Sequence, residues 1–187
     1  MEPSDVIVYV TSKVGTVPGR TVLQKLCYFV NAETGSAIPF RPHYYGPYSS
    51  DVAEATDTLL SSGFLDESKE SGSLSSPWVT PGGTVITDWE RRTYKLTKDG
   101  ETYLGRLPAD ERKILARSEP LLDALRDSTG LDPTKLSNVA KIHFIISTRQ
   151  AERSNRESLV TAVNRNGWRL SATDVEEALK TLDKLTL

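Results

Sequence analysis

Gly19-Arg-Thr-Val-Leu-Gln-Lys-Leu-Cys-Tyr-Phe-Val30, then Arg41-Pro-His-Tyr-Tyr-Gly-Pro-Tyr-Ser-Ser50, then Asp51-Val-Ala-Glu-Ala-Thr-Asp-Thr-Leu-Leu60 is the stretch whose reading decides the fold. In the first piece Val22, Leu23, Leu26, Phe29 and Val30 recur at helical spacing, so one broad face is apolar. Pro18 suits the first turn of that helix and Gly35 closes it. Between Ile38 and Tyr48 the prolines at 39, 42 and 47 exclude helix. Phe40 to Tyr45 therefore reads as a short extended run leading into a Gly46-Pro47 turn. In the third, Ser49 or Ser50 caps a helix with Val52, Ala55, Thr56, Leu59 and Leu60 inward and Gly63 as its stop.

Upstream, Ser4 is placed to cap a short helix carrying Val6, Ile7, Val10 and Val14, ended by Gly15. Downstream the pattern changes. Phe64-Leu65 is apolar, Glu67 to Pro77 is polar and rich in Gly and Ser, and residues 79–87 and 89–97 hold β-branched and aromatic residues around Pro81-Gly82-Gly83. This predicts two or three strands with a mobile loop. Thr97 then caps a helix holding Tyr103 and Leu104. The order helix, helix, helix, β-wing, helix over residues 1–106 is that of a winged helix. Beyond Pro108 the chain reads as helical near 109–128, 132–149, 155–166 and 171–186. Gly130, Asp132-Pro133 and Gly167 mark the breaks, and Ser154 with Glu157 and Thr173 with Glu176 have capping-box spacing. The expected class is mainly α (α+β), a winged-helix-like unit over 1–106 with a small β wing, and a helical bundle over 107–187 packed on it as one structural unit.

A faint repeat runs through the chain. Asp51 to Leu59 aligns with Asp174 to Leu182, and Gln24 to Val30 with Ala140 to Ile146, which matches Lys25 to Lys141. Two copies do not make a solenoid, and amphipathic helices sharing a core pattern account for the likeness better than two related substructures do.

Bulk properties narrow the functional classes. Twenty-five acids against 23 bases give a net charge of -2, so no bulk positive field draws the 187-residue chain to nucleic acid or to an anionic membrane. Nothing approaches a membrane span of roughly 18 apolar residues, and no signal-like run begins the chain. The cytoplasm is the expected compartment. One cysteine, Cys27, and two histidines, His43 and His143, offer neither an internal disulfide nor a zinc-like cluster. No metal, cofactor or catalytic residue is expected.

The run Thr21 to Phe29, then Phe40, then His43-Tyr44-Tyr45-Gly46-Pro47-Tyr48-Ser49, then a helix ending at Leu59 to Leu65, resembles the YwgA-like family of uncharacterised prokaryotic proteins. More distantly it is similar to the Panacea domain of SocA-like antitoxins. The resemblance implies a helical, winged-helix-like fold without an established catalytic site. Panacea relatives further imply inhibition of a toxin by protein–protein contact. Here Tyr-Gly-Pro-Tyr stands where Panacea domains carry the Tyr-Gly-Pro-Val type.

Four sets of residues compete for a role. Tyr44, Tyr45 and Tyr48 supply flat apolar faces with hydroxyl ends, either for a partner or for packing a corner. Arg20, Gln24, Lys25, Arg41 and His43 can gather near that corner as an anion site, although no phosphate-binding glycine loop accompanies them. The third helix, which would read the major groove, shows Asp51, Glu54 and Asp57 outward, a face that repels phosphate and suits a protein partner instead. The alternative, a DNA-binding regulator, rests on Arg91, Arg92, Lys95 and Lys98 around the wing and on Arg149, Arg153, Arg156, Arg165 and Arg169, with Trp168 available for stacking. Two enzyme-like patterns, Glu67-x-Lys69 and Cys27 with a histidine, are too short or too apolar in setting to support catalysis. The favoured expectation is a non-enzymatic interaction or regulatory module binding another protein, in a defence or toxin–antitoxin setting.

Overall fold

A computed structural model of the chain describes residues 1–79 and 85–185, with backbone alone at 74–79 and 85–87. The described part is mainly helical, with two small antiparallel sheets. Pro3 opens α1 (Pro3–Val14), where its missing N–H is no loss, and Glu2 caps it in a reciprocal box with Asp5. Ser4, the expected cap, lies inside that helix. Pro18 similarly sits one place outside α2 (Gly19–Thr34), which Gly35 ends in the left-handed region at φ 66°.

The segment between α2 and α3 (Ser50–Ser61) is a hairpin. β1 (Arg41–His43) pairs with β2 (Gly46–Tyr48) in the register Arg41 opposite Tyr48 and His43 opposite Gly46. The reversal is thus made by Tyr44-Tyr45, and the expected Gly46-Pro47 turn is instead strand. Ser49 then caps α3, its Oγ accepting from Val52 N at 3.4 Å.

The expected loop over Glu67 to Pro77 is the larger correction. Leu65 to Val79 is a strand, β3 (Leu65–Val79), paired with β4 (Val85–Leu96), with an irregularity between Ser73 and Trp78. Its polar composition hid a cross-strand code: Asp66 faces Lys95, Lys69 faces Arg92 and Glu70 faces Arg91, so charge of both signs lines a solvated ribbon. The Pro81-Gly82-Gly83 segment lies outside the described residues. The base of the ribbon is fixed by Val17 and Tyr94, which exchange two backbone hydrogen bonds of 2.9 Å. Tyr94 Oη donates to Glu67 at 2.7 Å and accepts from Arg20 Nε at 3.2 Å, joining ribbon to α2.

Thr97 caps α4 (Lys98–Arg106) as expected, accepting from Gly100 N at 3.1 Å. The single helix expected over 109–128 is two, α5 (Ala109–Ala116) and α6 (Glu119–Thr129), because Pro120 cannot continue an α-helical ladder and Ser118 turns its Oγ onto Leu115 O. Asp132 caps α7 (Pro133–Ser147). Asn155, not Ser154, caps α8 (Arg156–Arg165). Ser171 with Asp174, not Thr173 with Glu176, forms the box of α9 (Ala172–Lys184). One apolar cluster runs through all of this, from Val6, Ile7 and Val10 of α1 through Leu26 and Phe29 of α2 to Ile142 and Ile145 of α7 and Leu179 of α9. α2 packs on α1 and α7, and α7 packs on α8 and α9. Burying each Leu, Ile or Phe there contributes about 1.5–3 kcal/mol.

Candidate functional site

The β1–β2 hairpin lies across the α2–α7 pair, and three side chains grip its backbone. Lys25 Nζ donates to Pro47 O at 2.8 Å. Gln24 holds Ser49 at both ends, Nε2 donating to its carbonyl at 2.9 Å and Oε1 accepting from its N–H at 3.0 Å. Trp168 Nε1 donates to His43 O at 2.6 Å. A two-stranded piece this short leaves several backbone groups without partners, and these grips satisfy them.

Gly46 is the point of closest approach. A Cβ there would stand 3.1 Å from Lys141 Cγ and 3.3 Å from Lys25 Cε, and its φ is +100°. Only glycine fits both demands. Lys25 and Lys141, matched by the faint repeat, therefore flank one glycine from two helices. Lys25 is 2% exposed and Lys141 9%. Burial, and then the neighbouring Lys141 charge, push the Lys25 ammonium down to about 7. Burial also lowers Lys141, against an opposing pull from Asp174.

Beside the hairpin opens a cleft of about 830 Å³, lined by Tyr44, Tyr45, Ser137, Asn138, Lys141 and Trp168, with Arg169 and Asp174 completing its walls. Tyr44 is 76% and Tyr45 57% exposed, and their rings meet edge to face with centroids 4.8 Å apart. The Asp174 carboxylate belongs to the cap of α9: it accepts from Ser171 N and Oγ and from Asn138 Nδ2 at 3.3 Å. Those bonds to Ser171 hold it below the usual carboxylate range.

Tyr48 is less exposed than the tip tyrosines and stacks near His43, with ring centroids 4.9 Å apart. Asp51 and Glu54 are exposed on α3, as is Asp57, which pairs with Arg20 at 2.5 Å. Of the proposed anion-site group, Arg20 is turned to Asp57 and Tyr94, while Lys25 and Gln24 hold the hairpin. The basic residues of the DNA alternative divide between two regions. Arg91, Arg92 and Lys95 are on β4 and Lys98 is on α4, elements that pack on α1, whereas Arg156 and Arg165 are on α8, packed on α7 and α9. Arg92 bonds Glu90 and Glu67, Arg153 pairs with Asp183 at 2.5 Å, and Arg149, Arg165 and Arg169 are exposed. Trp168, expected to be free for stacking, is 2% exposed and spends its indole N–H on the hairpin.

Cys27 is fully buried and burial pushes its thiol well up, away from the reactive thiolate. His143 Nδ1 lies 2.7 Å from Tyr28 Oη, and burial lowers the imidazole to about 4. Glu67 is held by Tyr94, Arg92 and Lys69. Among the described residues no helix is long and apolar enough to cross a membrane. Ser137, Asn138 and Asp174 were not singled out from the sequence as parts of a site; the one signal was the repeat, which paired two lysines inside apolar helical runs. The chain matches no protein-family model and no curated protein.

Proposed function

We propose that the chain is a non-enzymatic, cytoplasmic interaction module that holds a protein partner at the Tyr44–Tyr45 tip, with the exposed acids of α3 alongside. The observation that carries this reading is the contrast within a few residues: two tyrosines stand out in solvent on a hairpin whose flanking backbone is gripped by Lys25, Gln24 and Trp168. Exposed aromatic side chains on a preorganised support lose little entropy on binding and are the residue type that dominates interface energy. Asp51 and Glu54 follow directly on α3 and favour a partner with a basic rim. The element order α1, α2, β1–β2 hairpin, α3, β3–β4 ribbon, α4 supports a winged-helix-like reading of residues 1–106. The resemblance to Panacea domains suggests a toxin or defence protein as the class of partner.

The test is affinity capture from the native host with the wild-type chain, a Tyr44→Ser, Tyr45→Ser variant and an Asp51→Lys, Glu54→Lys variant. The expected result is a protein retained by the wild type and lost from both variants. Recovery of the same proteins with all three would overturn the reading. Duplex DNA is the control ligand, with no retention expected at low salt, because the basic residues divide between two regions and α3 is acidic.

A further inference from the structure

Among the described residues, one buried hydroxyl lacks the partner that the others have. Thr11, Thr56 and Thr129 donate to the carbonyl four residues back, at 2.8, 2.6 and 2.7 Å, and Ser118 to the carbonyl three back at 2.6 Å. Ser137 does not. Its Oγ is the one buried side-chain polar atom among the described residues without a hydrogen bond, and Ser137 is 4% exposed on the wall of the 830 Å³ cleft. A buried hydroxyl left unpaired costs about 1–3 kcal/mol, which a hydrogen-bonding group brought to it would offset.

One turn further along α7, Lys141 lines the same cleft and forms no ion pair among the described residues. Lys25 stands behind Gly46 from it, with Pro47 O as its acceptor. Two lysine side chains are thus held close together and largely buried, and charging both of them carries an electrostatic cost that a bound anion would offset. The one carboxylate on the cleft wall, Asp174, is hydrogen-bonded to Ser171 and Asn138 at the first turn of α9 and attracts the Lys141 ammonium without pairing with it. The exposed Tyr44 and Tyr45 and the buried Trp168 form part of the same lining. The volume falls within the about 300–1,000 Å³ usual for small-ligand sites.

We propose that this cleft binds a small phosphate ester carrying a flat ring, of the size of a nucleoside monophosphate. The phosphate lies against Lys141 and Ser137, and the ring stacks at the Tyr44–Tyr45 mouth. This site does not rest on the protein-partner reading: a chain that binds the ester and captures no protein, or the reverse, separates the two.

The experiment is calorimetric titration of the full chain at low salt with adenosine monophosphate and uridine monophosphate, and with adenosine and inorganic phosphate as fragments. One equivalent of at least one monophosphate should bind, more tightly than either fragment. Lys141→Met keeps the stem that packs on Gly46 and should weaken that binding by at least about tenfold, with Tyr44→Ala, Tyr45→Ala weakening it as well. Should Lys141→Met fail to fold, the wild type alone decides through the Trp168 indole N–H resonance, which should shift on titration while that of Trp89 stays. Absence of binding by both monophosphates at millimolar concentration, equal binding by Lys141→Met, phosphate binding as tightly as the esters, or an unmoved Trp168 resonance would each sink the proposal.

Discussion

Lys25 is buried, with Pro47 O as its acceptor, and burial first and the neighbouring Lys141 charge second leave its proton held weakly. Its folded-state pKa of about 7 lies below the ordinary 10.5. Between those two values the unfolded chain binds a proton that the folded chain has released. Stability accordingly rises with pH through that window, by up to about 1.4 kcal/mol per pH unit, and below about 7 the buried charge is a constant penalty. Lys141, lowered in the same direction, adds to the rise, while Asp174 opposes it by favouring the charged ammonium. Lys25→Met should flatten the slope of stability against pH, measured by urea unfolding at about pH 6.5, 8 and 9.5. At about pH 6.5 two effects compete in that variant: relief of a buried charge against the loss of about 1–3 kcal/mol from leaving Pro47 O unpaired. An unchanged slope would mean that Lys25 is not the titrating group. Tyr94→Phe is the corresponding test of the ribbon's anchor, since it removes the bonds to Glu67 and Arg20 together. A loss of about 0.5–1.5 kcal/mol is expected, with no change in helix content by circular dichroism.

Elements are positioned in this protein by backbone approaches that only glycine allows. In the hairpin, Gly46→Ala combines a strained φ with a 3.1 Å contact to the Lys141 stem. It should destabilise the fold by about 1–3 kcal/mol and loosen the hairpin, seen as faster amide exchange at residues 41–48. On α4, a Cβ at Gly100 would stand 2.3 Å from Phe64 O, a backbone atom that cannot step aside. Gly100→Ala should therefore be the more damaging of the two, lowering the denaturation midpoint beyond Gly46→Ala. Equal midpoints would show that α4 docks less tightly on residue 64 than these distances require. Neither demand could be read from the sequence. Gly46 stood out beside prolines and tyrosines as a turn residue, whereas Gly100 sat unremarked in a helix start. The ribbon shows the same limit: its polar residues read as a loop because the pairing of Asp66 with Lys95 and Glu70 with Arg91 exists only once the strands are side by side.

At the scale of the whole molecule, α2 is shared property. One side packs on α1 and the other on α7, so residues 1–106 lack the surface that covers Lys25, Tyr28 and Phe29. The full chain should unfold in a single cooperative transition, and a chain ending at residue 106 should lose cooperative unfolding and expose apolar surface, checked by calorimetry and dye binding. An independently folded 1–106 fragment would show that the second half is dispensable to the core.

Periodicity and caps alone determined most of the helices, because a 3.6-residue apolar repeat and a Ser, Thr or glycine at its ends are local facts. Val22, Leu26 and Phe29 declare α2, Gly35 ends it, and Thr97 starts α4, wherever the rest of the chain goes. Tertiary structure decided what those helices hold between them. Lys25 and Lys141 lie 116 positions apart, and Trp168 reaches His43 across 125, so the grip on the hairpin and the cleft beside it come into being only when α2 and α7 pack. The physical reason is range. Helix propensity and capping act within one turn, while burial of a charge, an unpaired hydroxyl and a closed cleft depend on which distant surfaces exclude water together.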